Sequence, residues 1–460
     1  MGGGTRRHRL RGRMQILIDT GTTDCRNMGD VAMLQVAVSR LGAQFPEARL
    51  QAFTEDPAAL AMHCPDVEPV AHVGRMTWSA ERALLAPLRR VLPQAGWLWL
   101  NREHQRVRRR WPSQYASLLD AKERLCGRDD NPVAGFVRAV READLLFVTG
   151  QGTLSDGPRA WLLLDTIDLA IHAGVPVALL GQGVGPIWDS ALMQRARETL
   201  PRASLIALRE ERRGRNLLLA AGVSPDRMYA TGDDAIELAY QMHPGVLGDG
   251  VGLHLRRAPL ALPDRSVLQR IGSVVQRAAR ARRAPLVPVP ISQHVAGAND
   301  AATLRDVLHE CDTIGDGGAS LDTPAKVIAA AGRCRVVVTG AYHAAVFALA
   351  QGVPVVCLGT SEYYLHKFEG LVDQFGAGCA VIRCPDPYLE ERIAHEIDRA
   401  WQTAQEGRER LLKIAERQIA LSRAAYRRIP ALLRLPGTDG RSAFTRASPM
   451  AGQPASGVAP

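Results

Sequence analysis

Short apolar, β-branched runs alternate with stretches of helical period along most of the chain. Runs at 14–19, 50–53, 145–149, 175–180, 205–208 and 228–231 form one series, and runs at 251–256, 286–289, 335–339, 353–358 and 380–383 form a second. Between them lie segments with a 3.6-residue apolar period, including 30–41, 160–173, 193–200 and 267–281. Nearly continuous apolar strands alternating with helices predict parallel sheets covered on both faces. AGVPVALLG (173–181) and QGVPVVCLG (351–359) match at six of nine positions. In each, a glycine suits the end of a helix, and a proline sits where a strand's first N–H is dispensable.

The echo predicts an α/β chain of two Rossmann-like domains facing a cleft. The first spans 14–241 and the second 251–385, joined by a Pro/Gly-rich linker at 242–250, MHPGVLGDG. A long helical pattern over 386–432 follows, with Gly407 as a candidate break. Residues 72–128, rich in Arg, Trp and Leu but without a clean period, read as a helical insertion on the first domain. The basic arm 1–13 and the Gly/Ser/Pro-rich tail 433–460 are expected to be disordered.

Composition narrows the partners. The chain has 460 residues, 46% of them apolar, and no apolar run near the length of a membrane span, so a cytoplasmic protein is expected. Its eight cysteines are scattered without a CxxC pair, which suits reduced structural thiols. Two basic segments, 1–13 and HQRVRRRW at 104–111, contribute much of the net charge of +10. Aromatics are only 5% and no nucleic-acid-binding motif is present, so the basic segments point to acidic substrates or to peripheral contact with an anionic membrane rather than to nucleic acid.

In open parallel sheets ligands bind beyond the carboxyl ends of the strands, so the residues following each strand make a functional inventory. In the first domain Asn27, Gly29 and Asp30 open the first helix, where Asn27 and Asp30 also read as caps. GQGTLSDG (150–157) supplies Gly152, and GQGVGP (181–186) supplies Gly181, Gly183 and Gly185, glycine-rich turns that let backbone approach an anion. Arg209 ends the fifth strand, and Asp233 follows the sixth as a cap or an orienting carboxylate. In the second domain the strand ends present His254, Arg256, Gln293, His294, His343 and Lys367. Histidines and cations at successive strand ends suit an anionic ligand and proton transfer near neutral pH. No HxxxH pair, cysteine cluster, Walker lysine or GxSxG elbow occurs, so neither a metal nor a cofactor is expected.

The order of motifs resembles the polysaccharide pyruvyl transferase family. The resemblance spans roughly 14–376 and rests on N-x-G-D, the Gly-rich loop, GQGVGP, LRE with AGV, TGDDA and HAAVFALAQGVPVV followed by a Tyr/Lys loop. It implies a GT-B-like arrangement and transfer of the pyruvyl group of phosphoenolpyruvate onto a sugar diol, forming a pyruvate ketal and releasing phosphate. It also implies His343 as the general acid/base, worth about 10²–10⁴ in rate. Arg209, Arg256 and Lys367, with His254, His294 and the loop N–H groups of Gly181, Gly183 and Gly185, would hold the donor. Asn27, Gly29, Asp30 and Gly152 would lie on the acceptor side. One position departs from the family pattern: Arg-Leu-His before the last helix is here Ala341-Tyr342-His343. A sugar-nucleotide glycosyltransferase, with Glu362 or Glu369 gripping a ribose, and a non-catalytic glycan- or nucleotide-binding protein are the alternatives.

Overall fold

A computed structural model describes residues 13–79, 91–125, 127, 133–258, 264–294, 299–308 and 315–433. Most of the basic arm, the C-terminal tail after Leu433 and part of the 72–128 segment lie outside the described residues. Seven strands, β1 (Gln15–Asp19), β2 (Arg49–Thr54), β3 (Glu68–Ala71), β4 (Leu145–Val148), β5 (Val177–Gln182), β6 (Leu205–Leu208) and β7 (Met228–Ala230), form one sheet in the order β3-β2-β1-β4-β5-β6-β7. Five more, β8 (Gly250–His254), β9 (Leu286–Pro288), β10 (Cys334–Thr339), β11 (Val355–Gly359) and β12 (Cys379–Arg383), form a second in the order β12-β11-β10-β8-β9. Every pairing between these strands is parallel. The chain is α/β with two Rossmann-like domains, and the strand order reverses between β1 and β4 and again between β8 and β10. Such reversals open a crevice at the strands' carboxyl ends.

The repeated AGV/QGV element acts as a helix stop. Val175 N–H donates to Ala170 O at 2.9 Å and Gly174 N–H to Ile171 O at 3.0 Å; Val353 and Gly352 repeat this onto Ala348 and Leu349 at 3.0 Å each. Gly222 and Val223 close a third helix the same way. This is the Schellman arrangement, with Gly174, Gly222 and Gly352 at φ of 75°, 85° and 78°. It explains why β5 and β11 begin two residues later than the apolar runs do. The valine N–H is spent on the helix end, and the following proline has none to give the sheet.

Two elements differ from the sequence expectation. β3 (EPVA) is too short and too polar to stand out, and its Pro69 is tolerated because β3 pairs only with β2 at the sheet edge. Gly407 does not break the last helix, which runs unbroken over Leu389–Tyr426. One glycine costs a helix about 1 kcal/mol, less than the burial of Leu411, Ala415, Ile419 and Tyr426 returns.

That helix leaves the second domain and ends on the first. Its last turns, the helices Met28–Gln44 and Ala235–Gln241, and the helix Tyr342–Ala350 share one apolar core lying between the two sheets. Separate clusters cover the outer faces of each domain. Every residue of Tyr342–Ala350 is buried, which is why its sequence is apolar all round. His343 is therefore carried on the central helix of the interface.

Candidate active site

His343 occupies the second position of helix 342–350. The turn before it is held by Thr339, whose Oγ1 accepts from Ala341 N–H at 2.8 Å and donates to Ala341 O at 3.0 Å. The imidazole is buried, and its Nε2 has no hydrogen-bond partner among the described residues. Its nearest charge is Asp233 of the first domain, with Nε2 3.6 Å from Oδ2, an ion-pair rather than a hydrogen-bond distance. Across the cleft the ring meets Gly29, where a Cβ would stand 2.0 Å from its Cγ. Asn27 makes that approach possible by capping helix 28–44: its Oδ1 accepts from Gly29 N–H at 3.0 Å and Asp30 N–H at 3.3 Å.

Asp233 is shared between His343 and Arg209. It accepts from Arg209 Nη1 at 2.9 Å and from Ala235 N–H at 2.8 Å. Burial alone would push its carboxyl up, but His343 and the Arg209 guanidinium reverse this and hold it at about 2. Arg209 is buried as well, 2.9 Å from Glu210 Oε1 and stacked 4.4 Å over the Tyr342 ring. Tyr342, next to Ala341, thus acts as a shelf for an arginine from the other domain. Burial raises the Glu210 carboxyl above its ordinary range despite that neighbour.

Lys367 lies on the same side. Its Nζ donates to Tyr363 Oη at 2.5 Å and sits 4.0 Å over the Tyr363 ring, while Tyr363 donates to Gly152 O at 3.3 Å. A Cβ at Gly152 would stand 2.6 Å from Lys367 Nζ and 2.7 Å from Tyr363 Oη, so the first-domain loop packs directly on these two side-chain ends. Burial, reinforced by Arg209, pushes the Lys367 ammonium down to about 8. Asp30 is near enough to act on both Tyr363 and Lys367 through its charge.

His254 and Arg256 form a separate cluster. Asp300 accepts from His254 Nε2 at 2.9 Å, from Arg256 Nε at 2.7 Å and Nη2 at 2.9 Å, and from the N–H groups of Ile291 and Ser292 at 2.8 and 2.6 Å. Those donors hold the Asp300 carboxyl far below its usual range against the burial that would raise it. The clamped loop pairs with the first domain: Met28 N–H donates to Ile291 O at 2.8 Å and Gln293 N–H to Arg26 O at 2.9 Å. His294 reaches Asp24 there, Nδ1 to Oδ2 at 2.6 Å. The structure therefore divides the second-domain residues. His343 and Lys367 face the cleft, with Arg209 buried behind them, while His254 and Arg256 act through Asp300 and His294 ties the domains.

The GQGVGP loop is committed internally at two of its glycines. Gly183 N–H donates to Gln151 O at 2.8 Å and Gly185 N–H to Leu154 O at 2.7 Å, so these two are not free donors for a ligand. The loop gives clearance instead, since a Cβ at Gly183 would stand 2.8 Å from Arg209 Nη2. Glu362 pairs with Arg383 at 2.9 Å, and Glu369 pairs with Arg213. Among the described residues no group of three His, Cys, Asp or Glu side chains is arranged to hold a metal ion.

The polysaccharide pyruvyl transferase family model matches residues 27–362, from the cap of helix 28–44 to the first residue of helix Glu362–Phe375. The chain belongs to this family. Curated proteins give no sequence match. Solved structures with the same architecture include a UDP-glucosyltransferase from Polygonum tinctorium, at 12% identity and a TM-score of 0.51, covering 92% of this chain and 99% of the other. LpCGTa, solved in complex with UDP, aligns at 11% identity and a TM-score of 0.51, covering 92% and 100%. At such identities the likeness shows the fold, which is that of the GT-B glycosyltransferases. Beside Ala341, Arg209 of the first domain is seated on Tyr342 and paired with Asp233. The sequence flagged Asp233 only as a cap or orienting group. Tyr342 and Glu210 carried no signal, because a tyrosine in an apolar helix and a glutamate beside an arginine have ordinary explanations.

Proposed function

We propose that the protein transfers the pyruvyl group of phosphoenolpyruvate to two hydroxyls of a sugar in a glycan precursor. The observation that carries this reading is the buried His343 with an unpartnered Nε2, set beside Asp233 and a cleft-facing Lys367. The first hydroxyl adds to C2 of phosphoenolpyruvate as the methylene carbon takes a proton. The second hydroxyl then displaces phosphate from C2, its proton leaving with the phosphate, and gives the ketal. His343 takes the hydroxyl proton and hands a proton to the methylene carbon. Lys367 binds the donor's anionic end, where a desolvated ammonium interacts strongly. Arg209 keeps Asp233 ionised and oriented, and Asp300, with His254 and Arg256, fixes the loop that brings the domains together. The donor is a substrate, and no resident metal or cofactor is invoked.

Sugar-nucleotide transfer by the same fold would use a carboxylate on the ribose; Glu362 and Glu369, each in an exposed ion pair, are its candidates. No described helix is long and apolar enough to cross a membrane. Trp99 on helix Gln94–Arg110, Leu125 on helix Pro112–Leu125 and Trp111 between the two are exposed, along with Arg106 and Arg110, a composition that suits peripheral contact with anionic lipid.

The test is phosphate release from phosphoenolpyruvate with a pool of bacterial glycan precursors, for wild type and His343→Ala. Acceptor-dependent release that disappears in the variant is expected. Release unchanged by His343→Ala would overturn the assignment of the imidazole. Absence of release, together with no rise in melting temperature on adding phosphoenolpyruvate, would overturn the donor.

A further inference from the structure

Helix Glu362–Phe375 belongs to the second domain but turns one face to the first. Leu365, Phe368, Leu371 and Phe375 are buried, and the first two pack over Gly359 at the end of β11. Tyr363, Lys367, Gly370 and Gln374 recur every three or four positions and so share another face. Each of these four meets the first domain. Tyr363 Oη donates to Gly152 O at 3.3 Å, and Lys367 Nζ packs on the same glycine. A Cβ at Gly370 would stand 2.5 Å from Glu210 Cγ, and Gln374 Nε2 donates to Arg209 O. Beside this stripe Glu369 pairs with Arg213, and Asp373 comes within 3.9 Å of Arg212, both arginines lying on helix Glu211–Ala220. The stripe contains no aliphatic residue, unlike the apolar core that joins the domains through helices 28–44 and 342–350. Polar contacts between domains part more readily than a large apolar one.

One charge in this joint has no partner of opposite sign. Lys367 Nζ donates to Tyr363 Oη at 2.5 Å and lies 4.0 Å from the Tyr363 ring and 5.7 Å from the Tyr342 ring. Among the described residues no carboxylate forms an ion pair with it. Glu210 and Asp233, the acids closest to the joint, are paired with Arg209. Glu210, Asp30 and Tyr364 act on Lys367 only through their charge, and the Arg209 guanidinium opposes the ammonium. Closing the joint therefore draws two cations together, Lys367 from one domain and Arg209 from the other. It also strips water from an unpaired ammonium, which is costly.

We propose that the joint between helix 362–375 and the first domain is an anion-operated clasp. It parts when Lys367 has no anionic partner and shuts when the anionic group of a ligand settles on the ammonium. A ligand moves such an equilibrium by the difference in its affinity for the two forms. Here the difference arises because an enclosed ammonium attracts an anion more strongly than a hydrated one does. The transferase reading supplies the identity of the anion, the phosphate or carboxylate of the donor, and the clasp itself does not rest on it. Gly152 meets Lys367 and Tyr363 only in the closed form, so the cleft is complete once an anion is bound.

The experiment measures the width of the joint by double electron–electron resonance in the full chain. Spin labels go on Asn216→Cys and Ala377→Cys, exposed positions on either side, with Cys126 and Cys311 replaced by serine and the six other cysteines buried. Without an anion the labelled wild type should give a broad distance distribution, and saturating phosphoenolpyruvate should narrow it about twofold. Lys367→Met, which removes the charge and keeps the bulk, should be narrow with or without the anion. Gly370→Ala favours the helix itself but sets a methyl against Glu210, so it should stay broad even with phosphoenolpyruvate. Three results would overturn the clasp: a wild type already narrow without an anion, a wild type unmoved by phosphoenolpyruvate and inorganic phosphate alike, or a Lys367→Met as broad as anion-free wild type. Narrowing by inorganic phosphate with none by phosphoenolpyruvate would leave the clasp standing and sink the donor reading.

Discussion

Gly29 and His343 touch across the domain interface so closely that a Cβ on the first would stand 2.0 Å from Cγ of the second. The two lie more than 300 residues apart, and each is explained by the other. The imidazole fills the place where any other residue would carry its side chain. Helix propensity alone makes Gly29→Ala favourable by roughly 0.5–1 kcal/mol at a compatible site. The overlap makes it unfavourable, since overpacking costs about 1–3 kcal/mol and the imidazole has to move. Gly29→Ala is therefore expected to lower both melting temperature and kcat, and kcat more than phosphoenolpyruvate binding. A stabilised, fully active variant would contradict this geometry.

Lys367 gives a pH signature of opposite sign to an ordinary ion pair. Its folded value of about 8 lies below the ordinary 10.5, so the folded state holds the proton less tightly than the unfolded chain. The cost is fully present below pH 8 and disappears as pH rises towards 10.5. Lys367→Met should accordingly be more stable than wild type at pH 7, by about 1–3 kcal/mol. The difference should shrink between pH 8 and 10.5 in thermal unfolding. Wild-type KM for phosphoenolpyruvate should climb above pH 8 as the ammonium is lost. A pH-independent stability difference would show that the lysine is not desolvated.

Asp233 behaves the other way. Its folded value of about 2 lies below the ordinary 3.8, so its stabilisation is present above pH 3.8 and lost as pH falls through 2. The displacement corresponds to about 2 kcal/mol. Chemical denaturation of wild type and Asp233→Asn should show that gap at pH 6 and its closure between pH 4 and 2.

The last turns of helix 389–426 carry a fourth test. Tyr426 Oη donates to Asp234 Oδ2 at 2.7 Å, and Arg40 Nη1 lies 3.1 Å from Oδ1 of the same buried carboxylate. Tyr426→Phe removes one donor from a group that burial already pushes up. The expected cost is about 1–3 kcal/mol of unfolding free energy, with kcat for donor turnover little changed. An unaffected midpoint would mean that the helix end does not tie the domains together.

Peripheral membrane contact is checked by co-sedimentation with vesicles containing phosphatidylglycerol. Binding should fall with rising salt and with the pair Trp99→Ser and Arg110→Ser, both exposed positions. Equal binding to neutral vesicles would point away from this reading.

The two-domain α/β architecture was legible in the sequence because it is written in local periodicity: apolar strands, helices between them and three helix stops built on AGV or QGV. Those patterns depend on residues a few positions apart, and folding respects them. The cleft placement of His343 and Lys367 was legible for a related reason, since both follow strands of a parallel sheet. Contacts between distant segments were decided only by tertiary structure. No local pattern tells that His254 and Arg256 converge on Asp300, that Gly183 and Gly185 spend their N–H groups on a neighbouring loop, or that Tyr342 supports Arg209 from the other domain. The surroundings of the basic segment 104–111 were least legible of all: only the fold sets Arg108 against Asp165 and Arg109 against Asp168, because charge pairing depends on distance in space and not on distance along the chain.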